Sequence, residues 1–235
     1  MTTTDQTAGV RYPLLGAAVL VAGATGGLGS AIAGELHSRG AILTLVARNQ
    51  SRLDSLPVPG VRFAADLRSA ASCEQAVAAA GKIDVLVNAL GVVSFGSVAE
   101  LSPEALANLF ATNVFAPILL ARAALPGMAQ GGAIVNISGV IAERNLPGMA
   151  AYGASKAAIR SFGQAFAREA RRSQIRVLDA RPPHTATGLA SRAIEGMAPK
   201  MPEGISPGFV AQVICDALES GATDLPSTDF VVTAA

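Results

Sequence analysis

Ala17-Ala18-Val19-Leu20-Val21-Ala22-Gly23-Ala24-Thr25-Gly26-Gly27-Leu28-Gly29, followed by a helical stretch over 30–39, decides the fold class. Six apolar residues in succession suit a strand buried on both faces. The glycines let the chain turn tightly and bring its backbone close to an anionic group. The free N–H groups and positive dipole end of the following helix then meet that charge. The spacing is Gly-x-x-x-Gly-x-Gly, with no lysine of the kind a triphosphate loop needs. Gly23, Thr25, Gly27, Leu28 and Gly29 therefore form a candidate dinucleotide-phosphate turn.

Working outward, the strand-and-helix unit recurs. Further apolar strands are predicted at 41–47, 61–65, 83–87, 132–137 and 175–180, and 230–232 reads as a last one. Helices are predicted at 70–80, from Ser102 toward Arg122, over 151–172 and over 206–218. Alternation of this kind predicts an α/β fold with a doubly wound parallel sheet and helices on both faces. The chain has 235 residues, 51% hydrophobic and 15% charged, and a net charge of +1. One domain over 13–235 after a loose tail at 1–12 follows, with much surface buried in the sheet or between subunits. The charge balance supplies no long-range field for nucleic acid or an anionic membrane. Residues 14–34 are uncharged, but Thr25 and the glycines interrupt them where a strand ends, so they are not read as a membrane span. Cys73 and Cys215 offer neither metal spacing nor a disulfide framework, which points to a reducing, cytoplasmic setting.

Polar residues gather at the predicted strand ends, where an open parallel sheet binds ligands. Arg48-Asn49 follows the second strand; a cation there suits a ribose 2'-phosphate and favours NADP(H) over NAD(H). Asp66, beside Leu67, is placed to accept from an adenine amine or to cap a turn. Asn88 and Gly91 close the fourth strand. Asn113 lies on the apolar face of its helix, and Pro117 has no N–H for the Asn113 carbonyl, which predicts a kink and a carbonyl free to hold water. Ser138-Gly139 ends the fifth strand. Tyr152 and Lys156 share one helix face, an acid–base pair in which the ammonium is expected to lower the phenol pKa. Arg181-Pro182-Pro183-His184-Thr185-Ala186-Thr187 follows the sixth strand, with His184 as a loop histidine of no assigned partner. Residues 188–205 read as a short, mobile substrate lid.

Together, Gly23-x-x-x-Gly27-x-Gly29, Asp66, Asn88, Gly91, Asn113, Ser138 and Tyr152-x-x-x-Lys156 resemble the short-chain dehydrogenase/reductase family over about 17–232. The resemblance implies a Rossmann-like, seven-stranded parallel sheet and a homodimer or homotetramer joined through the helices of Asn113 and Tyr152. It implies that Tyr152 exchanges a proton with a substrate oxygen, Lys156 holds the nicotinamide ribose, Ser138 donates to that same oxygen, and Asn113 holds a water. Pro182, Thr185 and Thr187 would touch the cofactor. The chain departs from the pattern in three ways. Asn88-Ala89-Leu90-Gly91 stands where a second Asn would brace the strands, Pro182-Pro183 replaces Pro-Gly, and the glycine turn has no basic residue. The reading is an NADP(H)-dependent oxidoreductase acting on a small carbonyl or alcohol. A silent NADP(H)-binding regulator, and an epimerase or dehydratase, remain the alternatives.

Overall fold

The computed structural model describes residues 13–231, so the predicted tail at 1–12 lies outside the described residues. β1 (Ala18–Ala22) leads into α1 (Gly27–Ser38), β2 (Ile42–Ala47), α2 (Gln50–Asp54), β3 (Val61–Ala64), α3 (Ala70–Ala80) and β4 (Ile83–Asn88). The second half holds α4 (Pro103–Phe110), a π-helical turn (Ala111–Phe115), α5 (Ala116–Ala124), β5 (Met128–Ile137), α6 (Ala150–Ala170), β6 (Arg176–Ala180), α7 (Pro207–Ser220) and β7 (Asp224–Leu225). The seven strands form one parallel sheet in the order β3-β2-β1-β4-β5-β6-β7.

The unbroken apolar character of β1 has a direct packing cause. Val19 and Val21 point into the core shared with α1 and α7, while Leu20 and Ala22 point into the core shared with α3, α5 and α6. A side chain as completely buried as Leu20 stabilises the fold by about 1.5–3 kcal/mol. The chain winds outward from β1 to β3 and then crosses back to β4, so the strand order reverses between β1 and β4. A crevice opens at that reversal. The glycine turn stands over it: a Cβ on Gly23 would lie 2.7 Å from the Ala89 carbonyl oxygen, and one on Gly29 would lie 2.2 Å from that of Gly23.

Several boundaries differ from expectation. α1 starts at Gly27 rather than residue 30, so the glycines belong to its first turn. α2 was hidden by its shortness; Asn49 caps it by accepting from Arg52 N–H. Pro117 produces a π turn, with Ala116 N–H bonded to the Ala111 carbonyl, instead of a simple kink. The last strand is Asp224–Leu225 beside β6. Phe230 is apolar because it packs in the core, not because it pairs, and Val232 lies outside the described residues.

Candidate active site

A cleft of about 550 Å³ opens at the carboxyl ends of β1, β4 and β5 and runs from the glycine turn to α6. Gly27, Leu28 and Gly29 line it on one side; Gly91, Gly139, Tyr152 and Lys156 on another; Pro182, Thr185 and Thr187 on a third. Gly23, Thr25, Arg48, Asn49, Asp66, Leu67, Asn88 and Asn113 are not on its walls.

α6 presents Tyr152 and Lys156 to this cleft because they are one turn apart. The Tyr152 hydroxyl has no hydrogen-bond partner among the described residues, and burial pushes its pKa up to about 12. Burial pushes Lys156 down to about 8, against the opposing pull of the Asp179 charge, and its Nζ donates to the Ile137 carbonyl at 2.8 Å. The expected depression of the phenol pKa is not seen here: burial raises it, and the Lys156 charge is not among the causes acting on it. The pair rests as a neutral phenol beside a mostly charged amine at neutral pH.

Asn113 fixes the neighbouring wall. Its Oδ1 accepts from Val92 N–H, and its Nδ2 donates to the Val92 carbonyl and to Ser155 Oγ, each at 2.9 Å. Ser155 Oγ in turn donates to the Tyr152 carbonyl at 2.7 Å. Thus Asn113 acts on α6 through Ser155, a residue the sequence reading passed over although it sits between the two marked ones. A Cβ on Gly91 would come within 3.7 Å of Lys156 Nζ, which ties the β4 end to the same place.

Ser138, at the end of β5, is among the residues that line the cleft. Its side chain is buried, and Oγ donates to Asp179 Oδ1 at 2.6 Å. In this arrangement its one O–H proton is directed at that carboxylate. Gly139, without a side chain, is the next residue along the wall. Asp179 also meets Arg181, whose guanidinium is 2% exposed and binds Glu143 and both oxygens of Asp224. Glu143 Oε2 accepts from Ser227 Oγ.

Other predicted cofactor residues make contacts within the chain. Asn88 Nδ2 donates to Asn136 Oδ1 at 2.9 Å, so it braces β4 to β5 and supplies the inter-strand tie the missing second Asn left in question. Leu67 is a core residue, and its carbonyl accepts from the Cys73 thiol. Asp66 is clasped by Arg68 through side chain and backbone, which holds its carboxyl below the usual range. Asn49 caps α2. Arg48 is exposed just past β2, near enough to Asp66 for its charge to be felt there. Arg52, missed by the sequence reading, lays its guanidinium on the Thr25 carbonyl at 2.7 Å.

The lid is pinned in its middle. Phe95 N–H donates to the Glu195 carbonyl, Ile194 N–H to the Val93 carbonyl, and Ser102 N–H to the Glu195 carboxylate. A Cβ on Gly196 would fall 1.9 Å from the Phe95 carbonyl oxygen, so only glycine fits this crossing. Residues 188–205 are thus a strap tied at 193–196, with irregular chain on each side. At its root, Thr187 packs on the glycine turn, where a Cβ on Gly27 would meet Thr187 O at 2.6 Å.

The residues present suit a nicotinamide dinucleotide. α1 has no side-chain cap and no acid in its first turn, leaving its opening N–H groups for phosphate oxygens, and the flanking glycines leave room for close approach. Fold and cleft together define a dinucleotide-binding protein of the Rossmann kind. A family model described as short chain dehydrogenase matches residues 17–198, and the chain belongs to that family. It is 31% identical to dehydrogenase/reductase SDR family member 7B of Bos taurus, covering 91% of this chain and 74% of that one. It is 33% identical to L-xylulose reductase of the same animal over 77% and 76% of the two chains. A short chain dehydrogenase from Burkholderia cenocepacia in complex with NADP superposes with a TM-score of 0.82, 26% identity, and coverage of 92% and 89%. One from Burkholderia phymatum in complex with NAD has a TM-score of 0.83 at 22% identity, over 92% and 90%, a likeness of fold alone.

Proposed function

We propose that this oxidoreductase is NADP(H)-dependent and interconverts a small carbonyl compound and its alcohol, with Tyr152 as the general acid and base. The observation that carries the reading is the uncommitted Tyr152 hydroxyl facing the same cleft as Lys156, Gly91 and the glycine turn. The bound cofactor supplies or accepts the hydride. The glycine turn would hold its phosphates, and Lys156 with Thr185 its nicotinamide end. Tyr152, neutral at physiological pH, gives its proton to the carbonyl oxygen on reduction, and a charged Lys156 beside it favours the phenolate left behind. Asn113 and Ser155 keep α6 in register, and the 188–205 strap limits water. The cytoplasmic setting stays part of the proposal: both cysteines are buried free thiols, with burial first among the causes that push Cys73 up to about 11 and Cys215 up to about 12. A second copy of the chain would cover Leu106 and Phe115, large apolar residues that the composite α4–α5 helix leaves exposed.

The preference for NADP(H) rests on Arg48 and Arg52 beside the turn and on Asp66, the neighbouring acid, being neutralised by Arg68. Titration with NADPH and NADH tests it. Arg48→Asp is expected to weaken NADPH binding by about 10- to 100-fold with little change for NADH, since a charge-assisted contact to a phosphate is worth about 1.5–3 kcal/mol. Unchanged NADPH affinity would overturn the assignment.

One observation favours a second reading. Because Ser138 is committed to Asp179, substrate oxygen would meet a single hydroxyl, and a silent NADP(H)-binding regulator would tolerate that arrangement. A panel of ketones, aldehydes and quinones separates the two: sustained NADPH oxidation with any member excludes the regulator.

A further inference from the structure

The cleft is mostly apolar, yet its charged wall residues are all basic. Arg144, Lys156, Arg192 and Lys200 line it, and no Asp or Glu does, in a chain whose Lys plus Arg and Asp plus Glu totals are 18 and 17. Two of the four are already explained. Lys156 is bonded to Ile137 beside the phenol, and Arg192 Nη2 donates to the Thr187 carbonyl against the glycine turn, on the phosphate side. Arg144 and Lys200 are left, and neither side chain has an acceptor among the described residues. Glu143, the acid next to Arg144, cannot serve it, because Glu143 is held by Arg181 and Ser227. Arg144 follows the β5 end, close in sequence to Leu146 and Met149, whose side of the cleft is away from the glycine turn. Lys200 comes from the strap, in the irregular stretch between its ties at Glu195 and Ile205.

We propose that the substrate is an amphiphilic carbonyl compound: an apolar body lying on Leu146 and Met149, and an anionic group, such as a carboxylate, met by Arg144 and Lys200. This rests on the oxidoreductase reading above and names its substrate class. A guanidinium offers a carboxylate two parallel donors, and an ammonium on the strap adds charge from another segment, so binding an anion would also hold the strap down. Both residues are exposed, so each cation is free to swing onto an anion held at the cleft.

The test uses the full chain loaded with NADP+ and straight-chain methyl-ketone acids from 4-oxopentanoate to 9-oxodecanoate, each paired with its methyl ester. Calorimetric titration reads binding, and NADPH oxidation is measured separately. At least one acid is expected to bind about tenfold or more tighter than its ester, as a hydrogen bond to a charged group implies. That preference is expected to shrink at high salt, and to fall to within about twofold in the Arg144→Gln/Lys200→Gln double variant. Every acid binding within twofold of its ester in the wild type would overturn the proposal, as would a preference that survives in the double variant. Acid preference without any NADPH oxidation would uphold the anion site and sink the redox reading. Reduction of acids and esters alike would do the reverse.

Discussion

Tyr152 and Ser138 stand at the same end of the sheet, and their hydroxyls have opposite fates. The Tyr152 hydroxyl faces the cleft with no partner among the described residues, and the adjacent Lys156 makes one hydrogen bond with three available N–H groups. Ser138 lies in a knot with Asp179, Arg181, Glu143 and Asp224, in which donors and carboxylates are paired off. The difference is one of commitment: the Ser138 proton is engaged by a carboxylate, and the Tyr152 proton is not engaged among the described residues. Lys156 is the link between the two regions, since the Asp179 charge supports its protonation while Lys156 faces the cleft.

The strongest way to break this contrast is to delete the open hydroxyl. Tyr152→Phe removes only an oxygen with no partner among the described residues, so the melting temperature and NADPH affinity are expected to hold. Turnover is expected to fall by about 10²–10⁴, the usual contribution of a positioned proton donor. Retention of more than a tenth of the wild-type rate would remove Tyr152 from the mechanism. The matching deletion in the knot is expected to act on stability instead. Arg181→Leu leaves Glu143 and Asp179 without their cation in a buried setting, a loss of about 3–5 kcal/mol when one partner of a buried pair is removed. Denaturant unfolding reads it, and Arg181→Lys is expected to restore only part, because an ammonium cannot reproduce the paired contacts with Asp224.

A smaller, graded effect joins the two regions. Lys156 is charged below about pH 8 and neutral above it, while Tyr152 keeps its proton to about 12. Between pH 7 and 9 the ammonium fraction therefore falls about tenfold while the phenol is unchanged. kcat/KM for reduction is expected to decline with it, with an inflection near 8. Asp179→Asn removes a charge that raises the lysine pKa, so the inflection should move to lower pH. An inflection that stays put would show that the knot does not reach the site.

The fold was legible in the sequence because hydrophobic runs report burial directly. β1 is packed on both faces and reads as an unbroken apolar string, while Ser102-Pro103-Glu104 announces a helix start through the local chemistry that caps it. The Tyr152 and Lys156 pair was legible for the same reason, since helical spacing alone puts both on one face. Side-chain direction at strand ends was not. The bond of Ser138 to Asp179, about forty residues onward, has no local signal. The contacts of Asp66 with Arg68 and of Asn49 with the first turn of α2 are local but were not specified by residue type alone. Glycines and prolines announce the largely irregular chain at 188–205, whereas its ties to Phe95 and Val93 are non-local.

Ser138→Ala carries the smallest expected effect and discriminates most sharply. If the hydroxyl met the substrate oxygen, its removal would take away charge stabilisation in the transition state, worth about 10²–10³ in turnover at comparable donors. In the structure the hydroxyl instead donates to Asp179, which keeps Arg181 as a second partner, so the loss is one of several bonds on that carboxylate. The expected cost is about 1.5–3 kcal/mol of stability, as for a hydrogen bond to a charged group. Turnover is expected to stay within about threefold, since less than 0.7 kcal/mol separates rates that close. A hundredfold loss in kcat with the pH inflection unmoved would mean that Ser138 leaves Asp179 when substrate arrives, and the contrast between the two hydroxyls would not extend to the reacting complex.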